Sequence, residues 1–142
     1  MFYTSGTTGR PKGVKGMLSG GADVTSDLLP LIAGAVSEFV PTPGRTLLAG
    51  PIYHSAQWAW AVMPLMVGST LVIREHFDPA DVLATIDRER VTNVHLVPTQ
   101  MTRLLRLPDD ERARFSGDSL EVVHHGAAPC PPSVKRSLIE WW

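Results

Sequence analysis

A chain of 142 residues, 44% hydrophobic and 19% charged, has the size and composition of one ordinary globular domain. Its formal net charge of −1 provides no field to favour nucleic acid, and no arginine cluster alternates with aromatics, so a nucleic-acid partner is excluded. The single cysteine, Cys130, precludes an internal disulfide, and the absence of a basic-then-apolar leader points to a reducing, cytoplasmic setting.

In chain order, Met1 to Ser5 is β-prone and leads into a run of hydroxyls and glycines, Tyr3-Thr4-Ser5-Gly6-Thr7-Thr8-Gly9-Arg10-Pro11-Lys12-Gly13. Val14 to Met17 can resume as a short strand, which makes the run the tip of a strand, loop, strand unit. Each Ser or Thr brings a rotatable donor, and each glycine lets backbone N–H groups turn toward an anion without a Cβ in the way. No acidic residue precedes Asp23, whereas Arg10, Lys12 and Lys15 fall in this region. The run therefore reads as a phosphate-holding loop. It is not a Walker-type loop, because Lys12 is preceded by Pro11 and followed by Gly13.

After a turn at Ser19-Gly20-Gly21, residues 23–39 read as a helix with Leu28, Leu31, Ile32, Ala35 and Phe39 inward and a break near Pro30. Pro41 to Gly44 is a linker. Thr46 to Ala49 is a buried strand, and Ser55 is positioned to cap a helix over residues 56–66 that is apolar on nearly every side and so expected to be buried. The run from Thr46 to Ile73 lacks Asp, Glu, Lys and Arg, but Pro51, His54, Ser55, Gln57, Pro64 and Ser69 interrupt it, so no transmembrane segment is expected.

Thr70 to Ile73 is the next strand, followed by Asp78 as N-cap and Pro79 at the first helical position, with Val82, Leu83 and Ile86 as the buried stripe. Asn93 to Val97 reads as a strand and Thr99 to Leu107 as a helix with Met101, Leu104 and Leu105 inward, stopped by Pro108. Residues 109–118 are polar and peripheral. Leu120 to His124 is a further strand, Gly126-Ala127-Ala128-Pro129 a turn, and a last helix starts near Pro132 with Val134, Leu138 and Trp142 on one face. Strands alternating with helices over short connections predict an α/β fold, a largely parallel β-sheet with flanking helices. Ligands of such sheets bind beyond the carboxyl ends of strands, where Gly6 to Gly13, His54 and Gly126 to Pro129 all fall.

The run from Tyr3 to Val14 resembles the phosphate-binding signature of the adenylate-forming superfamily, the acyl-CoA synthetases, luciferases and peptide-synthetase adenylation domains, with Arg10 at the free position. A Pro-x-x-His element of that superfamily is matched by Pro51 to His54, and its Gly-Ala/Gly-Ala-Pro segment by Gly126 to Pro129, in the same order. The resemblance implies ATP phosphate binding by Thr4, Ser5, Gly6, Thr7, Thr8, Gly9 and Lys12. It implies adenine packing on Gly126, Ala127, Ala128 and Pro129, where small side chains permit close approach. It makes Lys12 and His54 the catalytic pair, Lys12 as a cation on the β- and γ-phosphates and His54 beside the acyl carboxylate and α-phosphate.

The acyl pocket is expected at His54, Gln57 and Trp58, although a glycine commonly stands in the superfamily where Gln57 or Trp58 is found. Trp58 and Trp60 either narrow that pocket or are core aromatics. His124 and His125, adjacent on a strand, point to opposite faces, and no metal site is expected. Cys130 lacks a local base and reads as a packed or exposed thiol. Arg74 and His76 are either contacts for coenzyme A phosphates or ordinary surface residues.

The implied reaction is attack of a carboxylic acid on the α-phosphorus of ATP, giving an acyl-adenylate, then transfer to coenzyme A. The apolar residues after His54, with no aspartate nearby to hold an ammonium, favour an acyl-CoA synthetase. The superfamily's Tyr-Gly-x-Thr-Glu element, whose glutamate binds Mg²⁺, its ribose-binding aspartate and its C-terminal domain are not found in residues 1–142. The chain is thus expected to be a fragment of the N-terminal AMP-binding domain, inactive alone and prone to self-association through exposed edges. The alternative is a non-catalytic nucleotide- or polyphosphate-binding or assembly module.

Overall fold

The computed structural model describes residues 2–4, 12–14 and 29–142. The chain divides into two units, Met1–Leu31 and Ile32–Trp142. In the first, strands β1 (Phe2–Thr4) and β2 (Lys12–Val14) pair antiparallel, with Phe2 opposite Val14, Tyr3 opposite Gly13 and Thr4 opposite Lys12. The second strand therefore begins two residues earlier than the expected Val14. Residues 5–11, which include Ser5, Gly6, Thr7, Thr8 and Gly9, lie outside the described residues, as do residues 15–28.

The second unit carries a four-stranded, all-parallel sheet in the order β4-β3-β5-β6, built from β3 (Arg45–Leu48), β4 (Thr70–Ile73), β5 (Asn93–Leu96) and β6 (Val122–His125). Between the strands run α2 (Ser55–Met66), α3 (Pro79–Glu89), α4 (Pro98–Leu105) and the single turn α5 (Asp109–Arg112). Helix α1 (Leu29–Ser37) precedes the sheet and α6 (Pro132–Trp141) follows it. This is the predicted α/β architecture of a largely parallel sheet with flanking helices.

Local chemistry sets several boundaries. Asp78 accepts a hydrogen bond from the Asp81 N–H at 2.9 Å, Pro79 fills the first turn of α3, and Arg90 closes the helix at φ 51°. Gln100 accepts from the Val97 N–H at 2.9 Å and donates to the Ala49 carbonyl at 2.8 Å, tying the start of α4 to the end of β3. Arg74, leaving β4, holds Asp81 of α3 through two bonds of 2.7 and 2.8 Å, so its guanidinium is already engaged.

Alternation along the strands divides the sheet into two unlike faces. On one, Leu47, Val94 and Leu96 pack with Val82, Leu83 and Ile86 of α3, Met101 and Leu104 of α4, and Leu138 of α6. Each fully buried leucine or isoleucine there contributes roughly 1.5–3 kcal/mol. The other face is more polar, presenting Thr46, Asn93, His95 and His124 on the side where α2 packs. Thr46 and Asn93 satisfy one another, Asn93 Nδ2 donating to Thr46 Oγ1 at 2.9 Å.

Four expectations are corrected. Along residues 31–40 the buried positions are Val36 and Val40, while Leu31 and Phe39 are 69% and 64% exposed, so the covered side is the one carrying this pair spaced four apart and not the one expected. Helix α2 is not buried all round: Gln57, Ala61 and Pro64 are buried, whereas Trp58, Met63 and Leu65 face outward. Its apolar outer face has no cover among the described residues. Ser55 is the first residue of α2 rather than its cap; His54 holds the cap position and no side chain caps the end. Strands β3 and β6 are also displaced by one or two residues from the predicted spans, since ladder pairing rather than local propensity ends a strand.

Candidate functional site at the carboxyl ends of β3, β5 and β6

The parallel register brings the carboxyl ends of three strands together. His95 lies opposite His124 and Leu96 opposite His125, and the Gly126 N–H donates to the Leu96 carbonyl at 3.3 Å, holding the turn after β6 against β5. From β3 the chain passes through Gly50 and Pro51 into α2, whose first inward side chain is Gln57. A Cβ at Gly50 would stand 2.9 Å from Gln57 Cδ, so glycine there is what lets this side chain lie against the strand end.

Gln57, 3% exposed, points at His95, 4% exposed, and its amide nitrogen donates to His95 Nδ1 at 3.3 Å. The other ring nitrogen, Nε2, faces Gly126: a Cβ built there would be 3.5 Å away. Trp60, one turn further along α2, stacks on both imidazoles, with centroids 5.4 Å from His95 and 4.0 Å from His124. His124 Nε2 donates to the Phe39 carbonyl at 2.9 Å.

Burial, then the nearby His124 and His125, pushes His95 down to about 4, so its ring is neutral at pH 7. Burial also lowers His124, against the opposing effect of its bond to Phe39. His125 lies on the opposite face, lining a groove with Leu138 and Trp142, as alternation along β6 requires.

The residues singled out in the sequence are distributed as follows. Thr4 and Lys12 are cross-strand partners at the ends of β1 and β2, joined by residues 5–11. His54 is exposed at the start of α2, its ring 4.7 Å from that of Tyr53. Gln57 turns in to the sheet and Trp58, 52% exposed, turns out. Gly126 is half-buried beside His95, and Ala127, Ala128 and Pro129 are exposed, with Ala127 at φ 64°. Sequence reasoning missed His95 and left Trp60 undecided. The available signal was a histidine set between Val94 and Leu96 in a strand otherwise expected to be apolar.

Residues 1–142 match the model of the AMP-binding enzyme family. The chain is 36% identical over 141 residues to a feruloyl-CoA synthase of an Amycolatopsis species, covering 99% of this chain and 27% of that protein. The N-terminal domain of FACL13 from Mycobacterium tuberculosis, solved with an inhibitor bound, superposes with a TM-score of 0.74 at 27% identity, covering 97% of this chain and 33% of that one. The O-succinylbenzoate coenzyme A synthetase of Bacillus subtilis, solved in complex with ATP and magnesium ion, superposes with a TM-score of 0.68 at 27% identity, covering 97% and 27%. The chain thus spans between about a quarter and a third of the length of these relatives. With the family signature at Tyr3 to Val14 and a parallel sheet that brings Gln57 and the Gly126 turn to one end, this chain belongs to the AMP-binding enzyme family.

Proposed function

We propose that this chain is part of the AMP-binding domain of an ATP-dependent acid–thiol ligase, which activates a small carboxylic acid as its acyl-adenylate and passes the acyl group to coenzyme A. The observation that carries this reading is the match of the whole chain to the AMP-binding enzyme family. The pairing of Thr4 with Lys12 supports it, since it closes the hydroxyl- and glycine-rich segment into the connection of a hairpin.

In this reading the loop residues Thr4, Ser5, Gly6, Thr7, Thr8 and Gly9 hold the ATP phosphates through hydroxyl and backbone donors. Lys12 neutralises the charge that develops on the departing pyrophosphate. His54 meets the carboxylate, and Gly126, Ala127, Ala128 and Pro129 form the small-residue surface for adenine. Gln57 and Trp58 border the acyl group. The enzyme lowers the barrier by placement and electrostatics rather than by a covalent enzyme intermediate.

Among the described residues no three His, Cys, Asp or Glu side chains gather at metal-ligating distance; the Mg²⁺ of such a reaction is held largely by phosphates and water, with one or two protein carboxylates. Its ligand is assigned to a part of the enzyme outside this chain. No helix of the described residues is long and apolar enough to cross a membrane, and the reading places the enzyme in the cytoplasm. The outward Trp58, Met63 and Leu65 of α2 make self-association of the isolated chain part of the same proposal.

The test is ATP–pyrophosphate exchange by the enzyme that carries this chain, with aromatic and fatty acids, beside calorimetry of ATP on the 142-residue chain. Acid-dependent exchange that Lys12→Ala reduces by about 10²-fold or more is the expected result. Exchange with none of the acids overturns the reading, and ATP binding without exchange supports a non-catalytic nucleotide-binding module instead. Turnover by the 142-residue chain alone overturns its assignment as an inactive part.

A further inference from the structure

We propose that Gln100 is a positioning residue for His54, its side chain fixing the point at which the chain leaves β3 for the turn that carries the histidine. This rests on the ligase reading above, in which His54 meets the carboxylate of the acid. Gln100 acts through the backbone of residues 49–54 rather than by contact with the acid.

Strands β3 and β5 pair at Thr46 with Asn93 and at Leu47 with Val94. On its other side β3 keeps pairing one residue further, to Leu48 opposite Ile73 of β4. Ala49 lies past both ladders and is fully buried, so its carbonyl needs a partner that no neighbouring strand supplies. Gln100 is that partner. Its Nε2 donates to the Ala49 carbonyl at 2.8 Å, while its Oε1 accepts from the Val97 N–H at 2.9 Å. With a carbonyl on one side and an N–H on the other, a single orientation of the amide satisfies both. The side chain, buried itself, thus bridges the first turn of α4 to the end of β3 where the β3–β5 ladder has stopped.

What the bridge holds is the last buried point before His54. Ala49 and Gly50 are buried, whereas Pro51, Ile52, Tyr53 and His54 are exposed. The exposed stretch is a tight turn in which the His54 N–H donates to the Pro51 carbonyl at 3.1 Å, and the His54 carbonyl then accepts from the Trp58 N–H at 2.9 Å as α2 begins. A turn closed at both ends carries a displacement of its buried root to the imidazole. The turn after β6 is held otherwise, by the pairing of Leu96 with His125 and by the Gly126 N–H on the Leu96 carbonyl. Loss of the Gln100 bridge therefore misplaces His54 and leaves the Gly126 turn where it is, which separates an effect on the acid from an effect on the nucleotide.

The test uses Gln100→Met, which keeps the length of the side chain and removes both bonds, in the enzyme that carries this chain. In ATP–pyrophosphate exchange with 4-hydroxycinnamate and with decanoate, the variant is expected to lower kcat/KM for the acid by about tenfold or more while KM for ATP stays within about twofold. In a His54→Ala background the same change should cost less than about twofold, since the residue it positions is gone. A folding defect only reduces the amount of active enzyme, so it leaves both KM values and acts equally with and without His54. That outcome overturns the proposal and leaves the ligase reading standing. Where His54→Ala abolishes exchange, a crystal structure of Gln100→Met decides: residues 51–54 displaced support the proposal, and residues 51–54 in the unaltered place overturn it. Exchange by His54→Ala at the full rate overturns the role given to His54 and this proposal with it. Exchange with no acid at all overturns the ligase reading as well.

Discussion

Gln57 and His95, 38 residues apart in sequence, meet through a 3.3 Å bond between the amide nitrogen of one and Nδ1 of the other, and both are nearly inaccessible to water. Burial of the His95 ring, aided by the nearby His124 and His125, makes stability respond to acid. The folded chain takes up the His95 proton only near pH 4, whereas the unfolded chain does so at the ordinary value of 6.5. Between these values the unfolded state binds more protons. The stability associated with neutral His95 is therefore complete above about pH 6.5 and is lost as pH falls toward 4, by on the order of 3 kcal/mol. Urea midpoints of the chain at pH 7.5, 5.5 and 4.5 should fall more steeply than those of His95→Gln, and parallel slopes would refute the assignment.

Gly50 is held to glycine by space rather than by a special dihedral. A Cβ there meets Gln57 Cδ at 2.9 Å and Cγ at 3.1 Å. Gly50→Ala is expected to destabilise the chain by about 1–3 kcal/mol and to displace the Gln57 side chain from His95. Shortening that side chain as well, in Gly50→Ala with Gln57→Ala, should return part of the loss, as a double-variant cycle by urea unfolding would register.

Thr46→Val tests the polar layer under α2. The change keeps shape but removes the hydroxyl that accepts from Asn93 Nδ2, with both side chains buried in the β3–β5 pair. The stranded amide is expected to cost about 1–3 kcal/mol, and Thr46→Ser, which retains the hydroxyl, less. A larger loss in Thr46→Ser than in Thr46→Val would mean that packing of the methyl, and not the bond, matters at this position.

Ala127 sits at φ 64° in the turn after β6, in the left-handed region that side chains with a Cβ disfavour. Ala127→Gly is expected to leave stability unchanged or raise it by up to about 1 kcal/mol, while the β-branched Ala127→Val should lower it by roughly 1–2 kcal/mol. Thermal unfolding of the two variants checks this. A valine tolerated without loss would show that the turn relaxes out of this conformation.

Features set by a few adjacent residues were legible in the sequence. Asp78 and Pro79 start α3 because a carboxylate one position before the first turn accepts an orphan N–H, a matter of local geometry. The stripe of Val82, Leu83 and Ile86 likewise follows from the helical period. Helix α2 was harder: its apolar residues run nearly all the way round, so composition cannot say which side meets the sheet, and Gln57, the polar residue near its start, turned inward while Trp58 turned out.

By itself the sequence determined the family and the α/β class, through the run Tyr3 to Val14 and the alternation of apolar strands with helices, because both are written in consecutive residues. Only the tertiary structure decided the strand order β4-β3-β5-β6, the polar face beneath α2 and the meeting of Gln57, His95, Trp60 and Gly126. The reason is physical. A local pattern records which side of an element avoids water, but the partner a buried polar group finds depends on pairing between strands far apart in the chain, and no single segment carries that information.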